Sequence, residues 1–532
     1  MASNETRSSK SVVWMKEVKT VSLVAAPMVA ATLLQYLGYF LSTLMVGHLD
    51  DQLSLSAASI ATAFSLVTGF TLLVSPSSVS SFPLPFCFSV LPTLIGWRDC
   101  NMQAGMAGGL ETLCGQAYGA GQHQKLATYT YSAVASMTLL CFPISILWLF
   151  FTNKLLILTG QDHSISNLAR SYSICLIPGL FAYALLQPMI RFFQTQSLLL
   201  PVLFSSLAAI CVHVPLCWVL VFRTRLGCIG AGLSTSVSTW ANTILLGTYM
   251  VCSPKCAETM AEFRWKDVLV ESWAFLRFAV PSAIMTWYAL NGGRLMCSFC
   301  CLGSYQTRSW KLQFYQFGNA TTMPAFLLFI FLFHLIVPTF NLWLKWCSFS
   351  ISYMHSTIPL GFAATISTRV SNELGAGNAK AAKLAMKVVM VLLATELVVI
   401  ILPLLFLRHF LGYAFSSDKE IVDYVATMAP FLCLQCITDA LQAVLSGVVR
   451  GSGKQKLGAF VNLGAYYLVG TPLAAILAFV AHLRGKGLLI GISTGAGLQA
   501  SLFAVTIVLT NWEQQASKSR ERIFRGGEPE GP

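Results

Sequence analysis

The sequence predicts an all-α membrane protein of about twelve transmembrane helices, arranged as two repeat lobes of about six helices each. Of its 532 residues, 55% are hydrophobic and only 10% are charged, and the mean hydropathy is +0.68. A water-soluble protein of this size needs more polar surface than this composition provides. Apolar windows of roughly 20 residues, enough to cross about 30 Å of hydrocarbon, recur along the whole chain. These windows exclude a β-barrel, because its membrane-spanning strands would be about half that length.

Two lobes are predicted because motifs of the first half recur in the second. The segment 105–122 contains Gly119-Ala-Gly121, and the segment 367–378 carries Gly375-Ala-Gly377, 256 residues later. Arg191 and Gln196 likewise recur 259 residues later. Many transporter folds are internal repeats of this kind, with the substrate site between them. The motif residues that we expect to have structural roles are Glu111, Gln116, Gly119, Gly121, Arg191, Gln196, Arg369, Glu373, Gly375, Gly377, Arg450 and Gln455.

The first lobe is predicted over residues 21–251. It follows a polar segment at 1–20 that lacks the apolar core and cleavage site of a signal peptide. Its second helix begins at 53–73 and resumes at Gly105, and an atypical insert at 74–104 with four prolines interrupts it. The other helices of this lobe are predicted at 21–46, 129–151, 171–187, 201–221 and 231–251.

The second lobe is predicted over residues 275–510, after a charged linker at 252–274. The segment 286–354 is atypical, because its apolar run at 324–346 has no counterpart at that place in the first half. A polar, charged tail is predicted at 511–532. The helices of this lobe are predicted at 275–302, 355–371, 384–407, 422–449, 457–480 and 488–509.

The net charge of +13 is assigned to membrane topology and not to nucleic-acid binding. Lys and Arg lie in short loops and at the two chain ends, not on one compact face. With about twelve spans, the excess of positive residues in alternate loops places both termini in the cytoplasm.

Enzyme chemistry and bound cofactors are not expected. The sequence contains no Walker motif, and its eight histidines show no HExxH or other paired metal-ligand spacing. Cys433 and Cys436 form a CxxC, but in an apolar helix such residues are most often small packing residues. We therefore expect no metal and no cofactor.

Ionisable residues within predicted membrane helices are functional candidates, because an unpaired charge there costs several kcal/mol. Asp439 and Gln442 are three residues apart, so both face one side of their helix. Proton coupling requires a carboxylate whose pKa lies near neutrality, and Asp439 is the strongest candidate. The alternative is that Asp439 is a packing residue, hydrogen-bonded or paired with a neighbouring arginine.

Glu396 is, with Asp439 and Gln442, a candidate for linkage to the proton or the substrate. It is flanked by apolar residues and Thr395, and the alternative is a helix edge near the membrane interface, which would tolerate it. The other intramembrane charges lie near helix ends. Arg191 and Arg450 end their helices, and we expect their side chains to extend to the cytoplasmic surface and fix orientation. Glu111 lies near the loop end of the second helix.

Several long motifs resemble a known family. They are PMVAATLLQYLGYFLSTLMVGHLDD, GMAGGLETLCGQAYGAGQ, LLQPMIRFFQTQSLLLP, ISTRVSNELGAGNAKAAKLA, LQAVLSGVVRGSGKQKLGAFVNLGAYYLVGTPLA and TNWEQQASKSRERI. They are similar to motifs of the multidrug and toxic compound extrusion (MATE) transporters of the plant DETOXIFICATION group. The resemblance covers the chain except about 74–104 and 286–354. It implies about twelve helices in two lobes that form a V.

The resemblance also implies a function. Family members export organic compounds, often cationic or phenolic, in exchange for protons, and their second lobe carries proton-linked carboxylates, of which Asp439 matches one. For this chain it implies small organic substrates, H⁺ in preference to Na⁺ as the coupling ion, and no nucleic acid. We expect a monomer in the lipid bilayer of the plasma membrane or the vacuole.

The seventh helix departs from the family pattern. Family members carry a glutamate there in a pattern like CLEWWSFE, and residues 286–313 contain no acid. In a shifted reading frame, codons for these residues can spell VCLEWW over 287–293 and LPNPKLETS over 304–313. One hypothesis is therefore a frameshift in the gene model, with unspliced intron at 74–104 and near 314–354, and a non-functional product. The alternatives are a true variant with an altered seventh helix and, within transport, a lipid-linked precursor flippase.

Overall fold

The computed structural model describes most of the chain, and all structural statements concern the residues that it describes. These are residues 2–47, 49, 101–158, 162–224, 226–259, 264–303, 340–413 and 419–525. The predicted helix at 53–73, most of the insert at 74–104 and most of the apolar run at 324–346 lie outside the described residues.

The described residues form helices and contain no strand. Nine of these helices are long and apolar enough to cross a membrane. The first seven labelled helices are α1 (Ala2–Gly47), α2 (Asn101–Gly119), α3 (His123–Phe150), α4 (His163–Thr195), α5 (Leu199–Trp218), α6 (Cys228–Cys252) and α7 (Trp265–Gly303). Short helices also form at Thr152–Leu158, Pro254–Ala257 and Arg408–Tyr413, and a π-helical stretch at Val219–Arg223 extends α5.

The second half of the chain supplies six labelled helices. α11 continues through Leu463–Gly470, Thr471–Ala475 and Ile476–Val480, of which the first and last are π-helical. The six are α8 (Phe340–Gly375), α9 (Ala379–Phe406), α10 (Lys419–Gly451), α11 (Gln455–Asn462), α12 (Arg484–Val508) and α13 (Trp512–Arg525).

Two hydrophobic cores divide the helices into two lobes. The first core takes most of its side chains from α1 to α6 and includes the fully buried Leu110 and Phe192. The second takes its side chains mainly from α8 to α13 and includes Val444 and Phe503. Each lobe therefore excludes water and lipid from an apolar interior of its own.

The first helix of each lobe crosses from one core to the other. In α1, Val21 is buried in the second core, and Val24, one turn later, is buried in the first. In α7, Ala283 belongs to the first core and Met285 to the second. α1 and α7 are therefore packed into both lobes, and a movement of one lobe relative to the other would have to bend or shift these two helices.

The repeated Gly-Ala-Gly motif holds α2 and α8 together at the lobe interface. A Cβ on Gly119 would collide with the carbonyl oxygen of Asn372, and a Cβ on Gly375 would collide with that of Gln116. The second glycine of each motif has a left-handed backbone, with φ of +73° at Gly121 and +82° at Gly377. The two copies of the motif therefore pack against each other reciprocally, as expected for repeats related by a pseudo-twofold axis.

Candidate functional site

α10 carries a row of three polar side chains, Gln435, Asp439 and Gln442, which we call the α10 stripe. Their spacing of four and three residues puts them on one face of the helix. The Gln435 amide donates a hydrogen bond to Asp439 Oδ2 at 3.4 Å. The side-chain oxygens of Gln435 and Gln442 are buried, and neither has a hydrogen-bond partner among the described residues. Buried acceptors normally find donors, so the stripe is suited to a ligand that brings its own N–H, O–H or proton.

Asp439 faces the interior of the second lobe. It is half-buried, and the next residue, Ala440, is fully buried. His355 of α8 and Tyr466 of α11, both buried, lie close enough to interact electrostatically with the Asp439 carboxylate. The carboxylate is therefore enclosed by α8, α10 and α11 and is not isolated on an outer face.

Glu396 pairs with His355 and is not part of the α10 stripe. His355 Nε2 and Glu396 Oε1 are 3.3 Å apart, which is within ion-pair distance but without the alignment of a hydrogen bond. The side chains are only 3% and 12% exposed. The role of Glu396 in proton or substrate linkage stays a prediction, and its carboxylate faces a buried imidazole.

A second group of charges joins the two lobes, and we call Glu111, Arg191 and Arg450 the inter-lobe cluster. Glu111 Oε1 lies 2.9 Å from Arg191 Nη1 within the first lobe, and Glu111 Oε2 lies 3.2 Å from Arg450 Nε of the second. The Glu111 side chain is 2% exposed and both arginine side chains are 13% exposed. The expectation that the arginines extend to the membrane surface is therefore wrong, since both neutralise a buried carboxylate.

Amide side chains join the lobes beside this cluster. Gln455 of the second lobe donates a hydrogen bond to Thr112 Oγ1 of the first. In the other direction, Gln194 of the first lobe donates to Thr368 Oγ1 of the second at 2.6 Å. Thr112 and Thr368 occupy equivalent places in the two repeats. Gln196 instead accepts a hydrogen bond from Thr259, which lies in the segment that follows α6.

Arg369 and Glu373 tie the start of α1 to the second lobe. Arg369 Nη2 lies 2.9 Å from Glu17 Oε1 and 2.9 Å from Glu373 Oε1. Glu17 was not singled out in the sequence, because it lies in the polar segment predicted to precede the first membrane helix.

The chain ends in a helix that bridges both lobes. In α13, Trp512 is buried in the second core and Ile523 in the first. Gln515 donates to the Ser452 carbonyl at 2.6 Å, and Arg522 Nη1 donates to Gln116 Oε1 at 2.8 Å. Burial lowers the pKa of the Arg522 guanidinium from its ordinary value. The segment predicted as a charged tail is therefore, over Trp512–Arg525, a packed strap across the lobe interface.

Metal-ligand geometry does not appear in the described part of the chain, where no three His, Cys, Asp or Glu side chains come together. Cys433 and Cys436 are both buried on α10.

Comparison with known proteins identifies the family. The MatE family model matches residues 102–219 and 318–476. Protein DETOXIFICATION 12 of Arabidopsis thaliana is 41% identical over 510 residues, which cover 95% of this chain and 92% of that protein. The chain belongs to the MatE family. Protein DETOXIFICATION 14 of the same plant is 40% identical over 96% of this chain and 92% of its own length.

Solved structures confirm the predicted fold class. The crystal structure of the eukaryotic MATE transporter AtDTX14 matches with a TM-score of 0.78 and 38% identity, over 96% of this chain and 99% of that one. An outward-facing multidrug resistance MATE transporter of the MOP superfamily shares the fold with a TM-score of 0.67, over 95% and 97% of the two chains, at 13% identity. The chain is therefore a two-lobed, multi-pass membrane transporter of the MATE family and not an enzyme.

Two histidines beside buried polar groups were missed in the sequence of this MATE transporter. His355 lies against Glu396, and His213 lies in the first lobe with 2% exposure. The rule that marks intramembrane Asp and Glu as candidates applies to histidine as well, and it would have singled out both residues.

Proposed function

We propose that this MATE transporter is a proton-coupled antiporter that exports organic compounds or xenobiotics of the cationic or phenolic type. The observation that carries the proposal is the α10 stripe, where Asp439 lies between two buried amide oxygens without partners. Such a row can hold either a proton on the carboxylate or the N–H and O–H donors of a substrate. Competition between the two at one site couples their opposite movements.

The driving force is the proton gradient, with no other cofactor. One pH unit across the membrane supplies about 1.4 kcal/mol per proton, enough for roughly tenfold accumulation of a monovalent exchange partner. Among the described residues, Asp439 accepts a hydrogen bond from Gln435 and belongs to no cluster of three His, Cys, Asp or Glu side chains. This supports the proposal of H⁺ in preference to Na⁺ as the coupling ion.

The contacts between the lobes bear on the orientation of the protein in the membrane and on which of its two ends is closed. Glu17 pairs with Arg369, about two turns before the second Gly-Ala-Gly motif, and Arg522 of α13 contacts Gln116, just before the first. These contacts support the proposal that both termini lie on one side of the membrane. We propose that this side is the cytoplasm, that the inter-lobe cluster closes the cytoplasmic end, and that the protein works as a monomer in the plasma or vacuolar membrane.

Transport by purified protein in liposomes tests the proposal. An imposed pH gradient should drive uptake of a fluorescent organic cation, and an equal Na⁺ gradient should not. D439N should abolish this uptake without changing expression or melting behaviour. D162N is the matched control, because Asp162 caps α4 at the surface and asparagine caps a helix about as well. Full uptake by D439N would remove Asp439 from the mechanism.

A further inference from the structure

The first lobe buries a polar cluster around His213, far along the chain from the α10 stripe. His213 lies on α5 between α1 and α6, and it is 2% exposed. Its Nε2 is 2.7 Å from Ser42 Oγ of α1, and its Nδ1 is 3.0 Å from Ser238 Oγ of α6. The ring therefore links three helices of one lobe through both of its nitrogens.

Counting protons shows what this cluster can bind. A serine hydroxyl has one proton to donate. Ser42 Oγ lies 3.2 Å from the Gly38 carbonyl, and Ser238 Oγ lies 3.0 Å from the Thr235 carbonyl, so each hydroxyl can donate within its own helix. When both do, each serine offers only lone pairs to the imidazole. Both ring nitrogens must then carry a proton, which is the imidazolium form.

The neutral ring also fits the same cluster. One serine then turns its hydroxyl proton from its own helix to the unprotonated ring nitrogen. The only other titratable group of the cluster among the described residues of α1, α5 and α6 is Cys217, whose Sγ is 4.0 Å from Ser42 Oγ. Gain or loss of one proton thus requires the rotation of one hydroxyl.

We propose that His213 is a proton-binding site in the first lobe, separate from Asp439. Its protonated form donates to both α1 and α6 and holds the two helices together, and its neutral form gives up one of these charge-assisted bonds. Gln35, one heptad before Ser42 on α1, donates to Ser206 of α5 on the same side. Because α1 crosses between the two cores at Val21 and Val24, proton binding at His213 acts on a helix that both lobes share.

The experiment is a pH titration of the histidine side chains by NMR, on the full chain with ¹³C-labelled histidine in lipid nanodiscs. The His213 signal is the one missing from H213Q. The matched control is H163Q, which removes the signal of an exposed histidine instead. If H213Q does not fold, the signal is assigned by elimination, with the seven other histidines replaced one at a time.

The expected result is that the His213 signal moves from its imidazolium value to its neutral value as the pH rises from about 5 to about 8. S42A and S238A each remove one acceptor, so each should lower the midpoint by about one pH unit, or roughly tenfold in proton affinity. A His213 signal that stays at the value of one neutral tautomer throughout would overturn the proposal, and so would midpoints that both serine variants leave unchanged. The titration is repeated in D439N, so that the result does not depend on whether Asp439 couples transport.

Discussion

The contact between Glu111 and Arg450 is the ion pair of the inter-lobe cluster that must break when the lobes separate. Arg191 stays with Glu111, because both belong to the first lobe, whereas Arg450 leaves with α10. R450Q should therefore weaken the joined conformation and leave the separated one unchanged.

The size of the effect follows from what Glu111 retains. A hydrogen bond to a charged group stabilises by about 1.5–3 kcal/mol. The larger penalty of about 3–5 kcal/mol for stranding a buried charge does not apply, because Glu111 keeps Arg191. A loss of about 1.5–3 kcal/mol from one conformation alone raises the ratio of separated to joined molecules by roughly 10- to 150-fold.

Distance measurement between two spin labels reads this ratio. Exposed positions Gln124 of α3 and Lys380 of α9 suit the labels, because each lies at the start of the helix that follows one Gly-Ala-Gly turn. R450Q should raise the ratio of molecules at the longer distance to molecules at the shorter distance by roughly 10- to 150-fold. R191Q is the control, since it removes a contact within one lobe and should lower thermal stability without that redistribution. Equal redistribution in the two variants would refute the reasoning.

Three further predictions concern packing and the second lobe. G119A should lower the thermal midpoint strongly, because its Cβ would meet a backbone carbonyl. G464A should change the midpoint little, because the space around Gly464 is open. Equal melting of the two variants would contradict the packing argument. I523A removes a fully buried side chain of α13 and should cost about 2–5 kcal/mol of stability in chemical unfolding, against less than about 0.5 for F524A, whose side chain is exposed. H355Q should shift the pH dependence of uptake in liposomes, because it removes a titratable ring beside Glu396 and Asp439, and an unchanged profile would limit His355 to packing.

The repeated motif is the part of the structure that the sequence predicted best. Gly119 and Gly375 begin two copies of one motif that lie 256 residues apart, which indicated equivalent places in two repeats. In the structure the two glycines pack reciprocally at the lobe interface. The pattern could not show why the glycines are needed, because the approach of the Asn372 and Gln116 carbonyls depends on how α2 and α8 cross.

Side-chain partners were predicted poorly. Arg191 and Arg450 share Glu111, but no sequence pattern gives the rotation of three helices about their axes. The terminal helix α13 was predictable in principle. Its buried residues recur at helical spacing, as expected for a helix with one apolar face: Trp512, Ala516, Ser519 and Ile523.

Two sequence hypotheses lie partly or wholly outside the described residues and stay predictions. After Thr286, the altered seventh helix over 286–313 falls where side chains are not described or where the chain is outside the described ranges. A transcript that spans 74–104 and 286–354 decides whether these segments occur in the mature protein, and a messenger that encodes them as written would end the frameshift hypothesis.

The central claim is that organic substrate and proton exchange places at the α10 stripe. The most direct measurement runs the exchange backwards, with a substrate gradient across liposomes, equal pH on both sides and a pH-sensitive dye inside. Substrate flowing in should push protons out, so the wild type should make the lumen more alkaline and D439N should not. Substrate flux with no change of lumenal pH in the wild type would contradict the account.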